Sequence, residues 1–376
     1  MSKGDIRMKK VLSIFGTRPE ATKMVPLLLA LKADTELSSH VCVTAQHREL
    51  LDMVLNPMGI EPDFDLNIMT HGQSLHDITT RALTGIMPII KKVEPDILIV
   101  HGDTTTTFAA SLAAFYAKIP VGHVEAGLRT YDKFRPYPEE INRKLVTAVA
   151  DLYFAPTNRA RDNLIKENVP TDAIHVTGNT AIDFLKYAVK DNYTFEREAL
   201  NKLDFTKQII LVTAHRQENH GKPMESICRG VLRLIEDFAD TQLVWAMHPG
   251  KSASDPAKKI LSGHDRILLT EALCPFDIIN LMKRTYLLLT DSGGLQEESP
   301  AFDLPTVVLR EVTERPEGLE AGTLVLAGVD ETSIYNHATK LLTNTNEYNK
   351  MAKAKNPFGD GYASERIVTA IKAFLR

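Results

Sequence analysis

The sequence predicts an α/β protein built on parallel sheets and divided into two domains. Short apolar segments, typical of buried strands, alternate along the chain with longer amphipathic segments that are typical of helices. This alternation indicates repeated βα units, which place helices on both faces of a parallel sheet. With 376 residues, the chain is also longer than one ordinary hydrophobic core requires.

Six strands are predicted in each half of the chain. In the first half they are Lys10–Phe15, His40–Thr44, Ile97–His101, Val121–Val124, Leu152–Ala155 and Ile174–Thr177. In the second half they are Gln208–Thr213, Gln242–Met247, Arg266–Leu269, Tyr286–Thr290, Thr306–Leu309 and Thr323–Leu326. The predicted helices between them include 20–32, 74–93, 105–117, 139–150, 157–167, 224–238 and 293–301. A polar segment, 191–207, separates the halves, so we expect domains over 1–190 and 191–362 and a final helix over 363–376.

The composition argues against several classes of protein. A net charge of −4 gives no general attraction to nucleic acid or to an anionic membrane. The three cysteines are scattered, which disfavours a disulfide framework and a zinc cluster. The apolar run near the start is too short for a signal peptide, and the stretch 108–117 is about half a membrane span. We therefore expect a cytoplasmic-type protein.

Acidic residues follow the most apolar predicted strands of the first half. Asp103 comes after DILIVHG, Glu125 ends PVGHVE, and Glu139 and Glu140 open a later helix. Open α/β sheets place their chemistry just past the carboxyl ends of their parallel strands. The pattern predicts an acid/base centre, although isolated carboxylates more often lie on a solvated surface.

The segment FGTRPEATK joins the first strand to a helix. It places Arg18 and Lys23 near free backbone N–H groups, which favours an anion site. A capped helix with two surface cations is an equally good interpretation. Gly16 stands alone, without the G-x-G-x-x-G spacing, so a nicotinamide cofactor is disfavoured, and a P-loop is absent from the sequence.

A second glycine-containing turn, TDSGGLQEESP, follows a strand of the second half. Ser292, Gly293 and Gly294 open a helix there, and their N–H groups favour phosphate. Glu298 lies one turn further along the same helix face, where it can accept hydrogen bonds from a ribose diol. The alternative is a glycine-capped helix with solvated glutamates.

Two histidines and an arginine complete the candidates. His215 and His248 each follow a predicted strand of the second sheet, and Arg315 lies in a loop before a helical stretch. Neither histidine has the spacing of a metal ligand, and the carboxylates show no metal-binding pattern. Structural histidines and a salt-bridged loop are the alternative interpretations.

Taken in order, these motifs resemble those of the non-hydrolysing UDP-N-acetylglucosamine 2-epimerases of bacteria. The resemblance covers about residues 9–370 and is carried by FGTRPEATKM, TAQHRELLD, VHGDTTTT, HVEAGLRT, PEEINR, TGNT, AHRQEN, TDSGGLQEES, TERPE, AGT and NPFGDG. It implies a glycosyltransferase-B-like architecture of two Rossmann-like domains, with the active site between them and the final helix packed on the first domain. It also implies interconversion of UDP-N-acetylglucosamine and UDP-N-acetylmannosamine without nicotinamide or metal.

The resemblance assigns roles to individual residues. Asp103, Glu125 and Glu139 are implied as acid/base carboxylates, with the one that takes the C2 proton left open, and His215 as a group that assists near the phosphate or the sugar. The implied UDP-binding residues are Arg18, Lys23, His248, Phe276, Ser292, Gly293, Gly294, Glu298 and Arg315. Gln46 and Gln73 match an activating second site of some bacterial members, although Glu49 stands where a glutamine is common. The family also implies a homodimer and a role in surface polysaccharide synthesis.

Three other functions remain compatible with these motifs. A UDP-sugar-dependent glycosyltransferase of the same fold would transfer the sugar to an acceptor. A hydrolysing epimerase would release N-acetylmannosamine and UDP irreversibly. A UDP-sugar-sensing module would bind the ligand without turning it over.

Overall fold

The computed structural model of the protein describes residues 7–45, 48–70 and 72–376. The chain forms two compact units. Unit 1 comprises Met1–Tyr187 and Gly359–Arg376, and unit 2 comprises Ala188–Phe358. Each unit contains one parallel sheet with helices, so the predicted class of two Rossmann-like α/β halves is confirmed.

The sheet of unit 1 has seven strands in the order β3-β2-β1-β4-β5-β6-β7. They are β1 (Lys9–Phe15), β2 (Leu37–Val43), β3 (Phe64–Asp65), β4 (Ile97–His101), β5 (Val121–Val124), β6 (Leu152–Ala155) and β7 (Ile174–Val176). All neighbouring strands are parallel. Their order reverses between β1 and β4, and in open α/β sheets a crevice for ligands forms at this position.

Eight helices belong to the described part of unit 1. They are α1 (Arg18–Ala33), α2 (Arg48–Leu55), α3 (Leu75–Val93), α4 (Thr105–Tyr116), α5 (Glu139–Val149), α6 (Asn158–Lys166), α7 (Thr180–Ala188) and the last helix of the chain, α15 (Ala363–Phe374). Helix α15 lies in the segment after Phe358 that belongs to unit 1, and it packs on α1. The Asp183 carboxylate caps its start by accepting hydrogen bonds from the backbone N–H groups of Ala363 and Ser364 at 3.1 and 2.8 Å.

The sheet of unit 2 has six strands in the order β10-β9-β8-β11-β12-β13. They are β8 (Gln208–Thr213), β9 (Thr241–Ala246), β10 (Ile267–Thr270), β11 (Leu287–Thr290), β12 (Thr306–Val308) and β13 (Leu324–Leu326). The helices of this unit are α8 (Lys222–Asp237), α9 (Lys251–Leu261), α10 (Pro275–Met282), α11 (Gly293–Glu298), α12 (Pro316–Ala321), α13 (Glu331–Thr343) and α14 (Thr345–Ala352).

The central strands of both sheets are buried on both faces. Every residue of β4 and of β11 is buried, and the sequences ILIVH and LLLT are correspondingly apolar. Helices cover these faces, so the chemistry of each sheet is confined to the loops that follow the strands.

All twelve predicted strands are present, with three informative differences. Strand β2 begins at Leu37 rather than His40, because its polar start pairs with β1 in parallel register. The two-residue edge strand β3 was not predicted. The predicted helix 293–301 ends as an α-helix at Glu298 and continues as a 3-10 turn, because Pro300 has no N–H to continue the ladder.

The polar segment 191–207 belongs to unit 2. Phe195 and Leu200 within it are buried in a hydrophobic cluster beneath β8 and β11. The segment is therefore anchored to the second core. Within the described ranges, no helix has the length and apolar character needed to cross a membrane.

Candidate functional site

The predicted carboxylates of unit 1 lie after adjacent strands. Strands β4 and β5 are paired in parallel, and the Gly102 N–H donates to the Val124 carbonyl at 2.9 Å just beyond them. Asp103 and Glu125 therefore follow the same edge of the sheet. Glu125 has a φ of +63°, a left-handed conformation that is uncommon for a residue with a side chain.

Three side chains of different chemistry surround the Glu125 carboxylate. The Lys23 ammonium from α1 forms a close ion pair with it. The Asn179 amide lies 3.4 Å from the same oxygen, and His101 Nε2 lies 3.9 Å from the other. The cation from the FGTRPEATK segment thus meets a carboxylate of the acidic cluster, so the two sequence motifs form one site.

Asp103 is held by residues of α5. Arg143 contacts its Oδ2 through Nε at 2.8 Å and through Nη2 at 2.7 Å. The Asn142 amide donates to the Asp103 backbone carbonyl at 2.9 Å. A contact from two nitrogens of one guanidinium group fixes the orientation of a carboxylate.

The two glutamates at the start of α5 occupy different environments. Glu140 is completely buried and accepts hydrogen bonds from the backbone N–H groups of Thr130 and Tyr131 and from Arg143. It therefore anchors the preceding loop. Glu139 has a buried Oε2 that lacks a hydrogen-bonding partner among the described residues. Burial raises the pKa of Glu139, and the nearby charge of Asp103 raises it further.

Two buried histidines accompany the carboxylates and were not predicted as site residues. His101 closes β4 and is 3% exposed, and burial lowers its pKa to about 3. His123 in β5 is fully buried, with a ring nitrogen 2.7 Å from the Gly102 carbonyl, and burial lowers its pKa to about 4. Both are neutral at physiological pH. In the sequence both lie within apolar strand segments, so nothing distinguishes them from other strand residues.

A further buried carboxylate, Glu20, connects the β1–α1 and β4–α4 loops. It accepts hydrogen bonds from the N–H groups of Gly16 and Thr17 and from the hydroxyls of Thr104 and Thr107. Burial raises its pKa despite these bonds. The network fixes the start of α1, which carries the half-buried Arg18 as its first residue.

In unit 2, His215 and His248 follow the paired strands β8 and β9. Their rings stack with centroids 5.6 Å apart and an interplanar angle of 14°. Asp291, which follows β11, is fully buried and lies 3.1 Å from Nδ1 of His215. The two predicted histidines therefore lie together. Asp291, which was not predicted, contacts His215 and directly precedes Ser292 in the chain.

The SGG turn forms the start of α11 as predicted. Ser292 is the N-cap residue, and a Cβ placed on Gly293 would lie 3.6 Å from Nη2 of Arg315 and 3.8 Å from Nη2 of Arg216. Two guanidinium groups therefore stand beside the free N–H groups of a helix start, an arrangement suited to phosphate. Arg216 was not predicted, although it directly follows His215.

Glutamates complete this part of unit 2. Arg315 forms a close ion pair with Glu297, which is 3% exposed. Oε1 of Glu298 lies 3.9 Å from the Cβ position of Gly294. The structure thus brings together Ser292, Gly293, Gly294, Glu298 and Arg315.

The remaining predicted residues are Phe276, Gln73 and Gln46. Phe276 is 5% exposed at the start of α10. Gln73 precedes α3, where its Oε1 accepts a hydrogen bond from the Thr70 N–H at 3.2 Å and its amide contacts the Met69 sulfur. Gln46 lies outside the described residues. Between residues 7 and 376, with 46, 47 and 71 excepted, no group of three or more His, Cys, Asp or Glu residues is arranged to hold a metal ion.

The family model described as UDP-N-acetylglucosamine 2-epimerase matches residues 29–372. The chain belongs to this epimerase family. A UDP-N-acetylglucosamine 2-epimerase of Bacillus subtilis is 53% identical over 96% of this chain and 94% of its own length.

Solved structures of the family are similar over nearly the whole chain. The S. aureus MnaA–UDP structure has a TM-score of 0.89 and 50% identity, covering 98% of this chain and 97% of its own. The Neisseria meningitidis epimerase bound to UDP-GlcNAc has a TM-score of 0.87 and 42% identity, covering 97% and 100%. A Rickettsia africae glycosyltransferase, 14% identical with a TM-score of 0.64, shares the fold over 98% of this chain and 99% of its own. The predicted family and the predicted likeness of its fold to a glycosyltransferase are confirmed.

Proposed function

We propose that the protein reversibly converts UDP-N-acetylglucosamine to UDP-N-acetylmannosamine by anti elimination of UDP and its re-addition. The intermediate is 2-acetamidoglucal, and the configuration at C2 is inverted when the proton returns on the opposite face. The observation that carries the proposal is the cluster of Asp103, Glu125 and Glu139 with Lys23 at the carboxyl edge of one sheet. The family membership and the relative bound to UDP-GlcNAc support it.

Elimination is proposed because direct exchange of the C2 proton is chemically unfavourable. C2 carries an acetamido group and adjoins an acetal carbon rather than a carbonyl, so its proton is scarcely acidic. Loss of the C2 proton becomes feasible when the C1–O bond breaks at the same time and its electron pair leaves with UDP. Because the substrate and the product have the same oxidation level, the reaction requires no net oxidant or reductant, and the proposal includes neither a nicotinamide cofactor nor a metal.

In unit 1, the carboxylates would exchange protons with the two faces of C2. The Arg143 guanidinium orients Asp103, whereas burial raises the pKa of Glu139. Such a difference in environment suits one group to accept a proton and another to donate one. Glu125 would complete the set, with Lys23 and Arg18 directed to the departing phosphate.

In unit 2, the start of α11 would bind UDP. The N–H groups of Gly293 and Gly294 and the guanidinium group of Arg315 would bind the diphosphate, together with His248 and Ser292. Glu298 would accept hydrogen bonds from the ribose, and Phe276 would pack near the uracil. His215 would assist near the departing phosphate.

The proposal extends to assembly and cellular role. Helices α4 and α5 pack together, and each exposes apolar side chains, namely Phe115 and Tyr116 on α4 and Ile141 and Leu145 on α5. We propose that the protein forms a homodimer and that its product feeds surface polysaccharide synthesis. Sedimentation analysis tests the homodimer. A regulatory site at Gln46 and Gln73 remains a prediction.

Product analysis tests the proposed activity against its alternatives. Purified protein is incubated with UDP-N-acetylglucosamine and the nucleotide sugars are separated. Starting from either epimer, we expect the same equilibrium mixture of UDP-N-acetylglucosamine and UDP-N-acetylmannosamine, with little free UDP. Stoichiometric UDP with free N-acetylmannosamine would indicate hydrolysis, UDP formation that depends on an added acceptor would indicate a glycosyltransferase, and an unchanged substrate would indicate a binding module.

A further inference from the structure

The stacked histidines of unit 2 have different hydrogen-bonding surroundings. The rings of His215 and His248 are 5.6 Å apart and nearly parallel. Two imidazoles at this separation repel each other if both are protonated. The groups around each ring therefore decide which histidine carries a mobile proton.

Asp291 is fixed in position beneath His215. It is fully buried, and its Oδ2 accepts hydrogen bonds from the backbone N–H groups of His215 and Arg216 at 2.7 and 2.8 Å and from the Asn219 amide at 2.9 Å. Burial alone would raise the pKa of Asp291, but the hydrogen bonds and charge of His215 and the N–H of Arg216 hold that pKa below its usual range. The carboxylate is therefore ionised and cannot turn.

The second oxygen of Asp291 decides the protonation of the His215 ring. Oδ1 is buried and lies 3.1 Å from Nδ1 of His215, without an aligned hydrogen bond among the described residues. An unprotonated Nδ1 would face a carboxylate lone pair with its own lone pair, so the contact favours the tautomer with a proton on Nδ1. Nε2 lies on the far side of the ring, and the side chain of His215 is 38% exposed.

His248 is fixed in the opposite way. Its Nδ1 accepts a hydrogen bond from the backbone N–H of Gly250 at 3.1 Å. A ring nitrogen that accepts a hydrogen bond carries no proton, so the single proton of neutral His248 is on Nε2. His248 can donate a hydrogen bond from Nε2 but cannot accept one there.

We propose that Asp291 is a positioning residue that keeps Nδ1 of His215 protonated, so that His215 exchanges a proton through Nε2 while its neighbour His248 remains a neutral Nε2–H donor. The destination of that proton rests on the proposed function. As the C1–O bond breaks, its electron pair passes to the phosphate oxygen, which receives the Nε2 proton of His215. The C2 proton passes to one carboxylate of unit 1 as the C1–C2 double bond forms. On re-addition of UDP the phosphate proton returns to Nε2 of His215, and a second carboxylate protonates C2 on the opposite face.

The test begins with the native protein labelled with ¹⁵N at its histidines. Long-range ¹H–¹⁵N correlations distinguish protonated from unprotonated ring nitrogens without any substrate, and His215→Gln and His248→Gln assign the two rings among the 12 histidines. In its neutral form we expect His215 to be protonated on Nδ1. We expect His248 to be protonated on Nε2. Either ring in the opposite tautomer would overturn the proposal.

The variant Asp291→Asn then tests the cause. The titratable groups that contact the His215 ring are Asp291 after β11 and His248 after β9. Because Oδ2 accepts three hydrogen bonds, Asp291→Asn places its amide at Oδ1, where it donates to Nδ1 and should move the proton of the neutral His215 ring to Nε2. The kcat should fall about 100-fold or more with a smaller change in KM.

A matched control is Asp204→Asn, which alters an exposed aspartate of the same unit that bonds to Thr206. It should leave both histidine spectra and kcat unchanged. An Asp291→Asn protein in which His215 retains the native tautomer would refute the positioning role, even if it epimerises. Native tautomers as expected in a protein without epimerase activity would instead refute the proposed function and leave the assignment of the two rings intact.

Discussion

Asp103 is a carboxylate of the candidate site whose orientation is fixed by helix α5. Arg143 contacts one of its oxygens from two nitrogens, and Asn142 holds its backbone carbonyl. Asp103→Asn preserves the shape of the side chain but removes its ability to accept a proton, so we expect kcat to fall at least about 100-fold. Steady-state assays measure this loss, and circular dichroism verifies that the fold is retained.

The matched control for Asp103 is Asp172→Asn, which alters an exposed aspartate in a turn of the same unit. It should retain native turnover. Full activity in a correctly folded Asp103→Asn protein would remove Asp103 from the proposed mechanism.

Glu139 should make the stability of the protein depend on pH. Its pKa is raised by burial and by Asp103, so the folded protein retains this proton to higher pH than the unfolded chain does. The stability that this proton contributes is fully present below the ordinary glutamate pKa and is lost as pH rises through the folded value. The Tm of Glu139→Gln should therefore rise relative to that of the native protein as the pH is raised from 4 to 8.

The comparison for Glu139 is Glu198→Gln, whose side chain is 84% exposed beside Lys202. Its Tm relative to the native protein should vary little with pH. If the relative Tm of Glu139→Gln also varies little with pH, the pKa of Glu139 is not raised in the folded protein.

The sequence predicts the carboxylates of the site better than the residues that hold them. Motifs after strands predicted Asp103, Glu125 and His215, but Glu139 and Glu140 are adjacent and only the folded loop separates their roles. Asp291 and His101 were missed because a single polar residue at a strand end has no periodicity of its own. Their significance depends on contacts between residues 76 and 24 positions apart in the chain.

At the level of elements, the start of α1 depends on Glu20. The Oε2 atom accepts hydrogen bonds from two backbone N–H groups, and Oε1 accepts them from the hydroxyls of Thr104 and Thr107. Glu20→Ala leaves these buried donors unsatisfied and should lower the free energy of unfolding by roughly 2–4 kcal/mol, as measured by urea denaturation.

Glu20→Gln is the informative partner of that variant. Its carbonyl can accept from the backbone pair, and its amide can donate to the threonine hydroxyls, whose oxygens are able to accept. We expect it to recover most of the loss. Equal losses for alanine and glutamine would show that the hydrogen-bond network is not what stabilises the loop.

Elements with a strong apolar pattern were predictable, and elements fixed by pairing were not. The strands β4 and β11 read directly as apolar runs. The start of β2 and the two residues of β3 are recognisable only once β1 provides a partner, because their side chains are polar or half-buried. The early end of α11 follows from Pro300, whose effect could have been predicted from the sequence.

At the level of the whole molecule, the last helix contributes to the stability of unit 1. Ile367 of α15 is completely buried, and α15 packs on α1. Ile367→Ala should reduce the free energy of unfolding of unit 1 by about 2–4 kcal/mol. The single tryptophan, Trp245, lies in the core of unit 2, so its fluorescence should retain the native midpoint while circular dichroism reports an earlier transition.

The counterpart of this variant is Ile334→Ala on α13, which is equally buried in unit 2. It should move the tryptophan transition instead. A tryptophan midpoint that shifts equally in both variants would show that the two units do not unfold independently.

The order of the motifs along the sequence predicted the fold class of the whole molecule, because each βα unit places its functional residues at the end of a strand. The predicted divisions after residues 190 and 362 lie three and four residues beyond Tyr187 and Phe358, where the compact segments end. The sequence could not predict the contacts near them: Phe195 and Leu200 bury a polar segment in unit 2, and Asp183 caps a helix 180 residues further along the chain.

The central claim is that the C2 proton is exchanged during elimination and re-addition. The most direct measurement follows UDP-N-acetylglucosamine by NMR with the protein in D2O until the two epimers equilibrate. The proposed mechanism predicts deuterium at C2 of both nucleotide sugars, no deuterium at C2 with Asp103→Asn, and little free UDP. An equilibrated mixture that retains hydrogen at C2 in both epimers would contradict it.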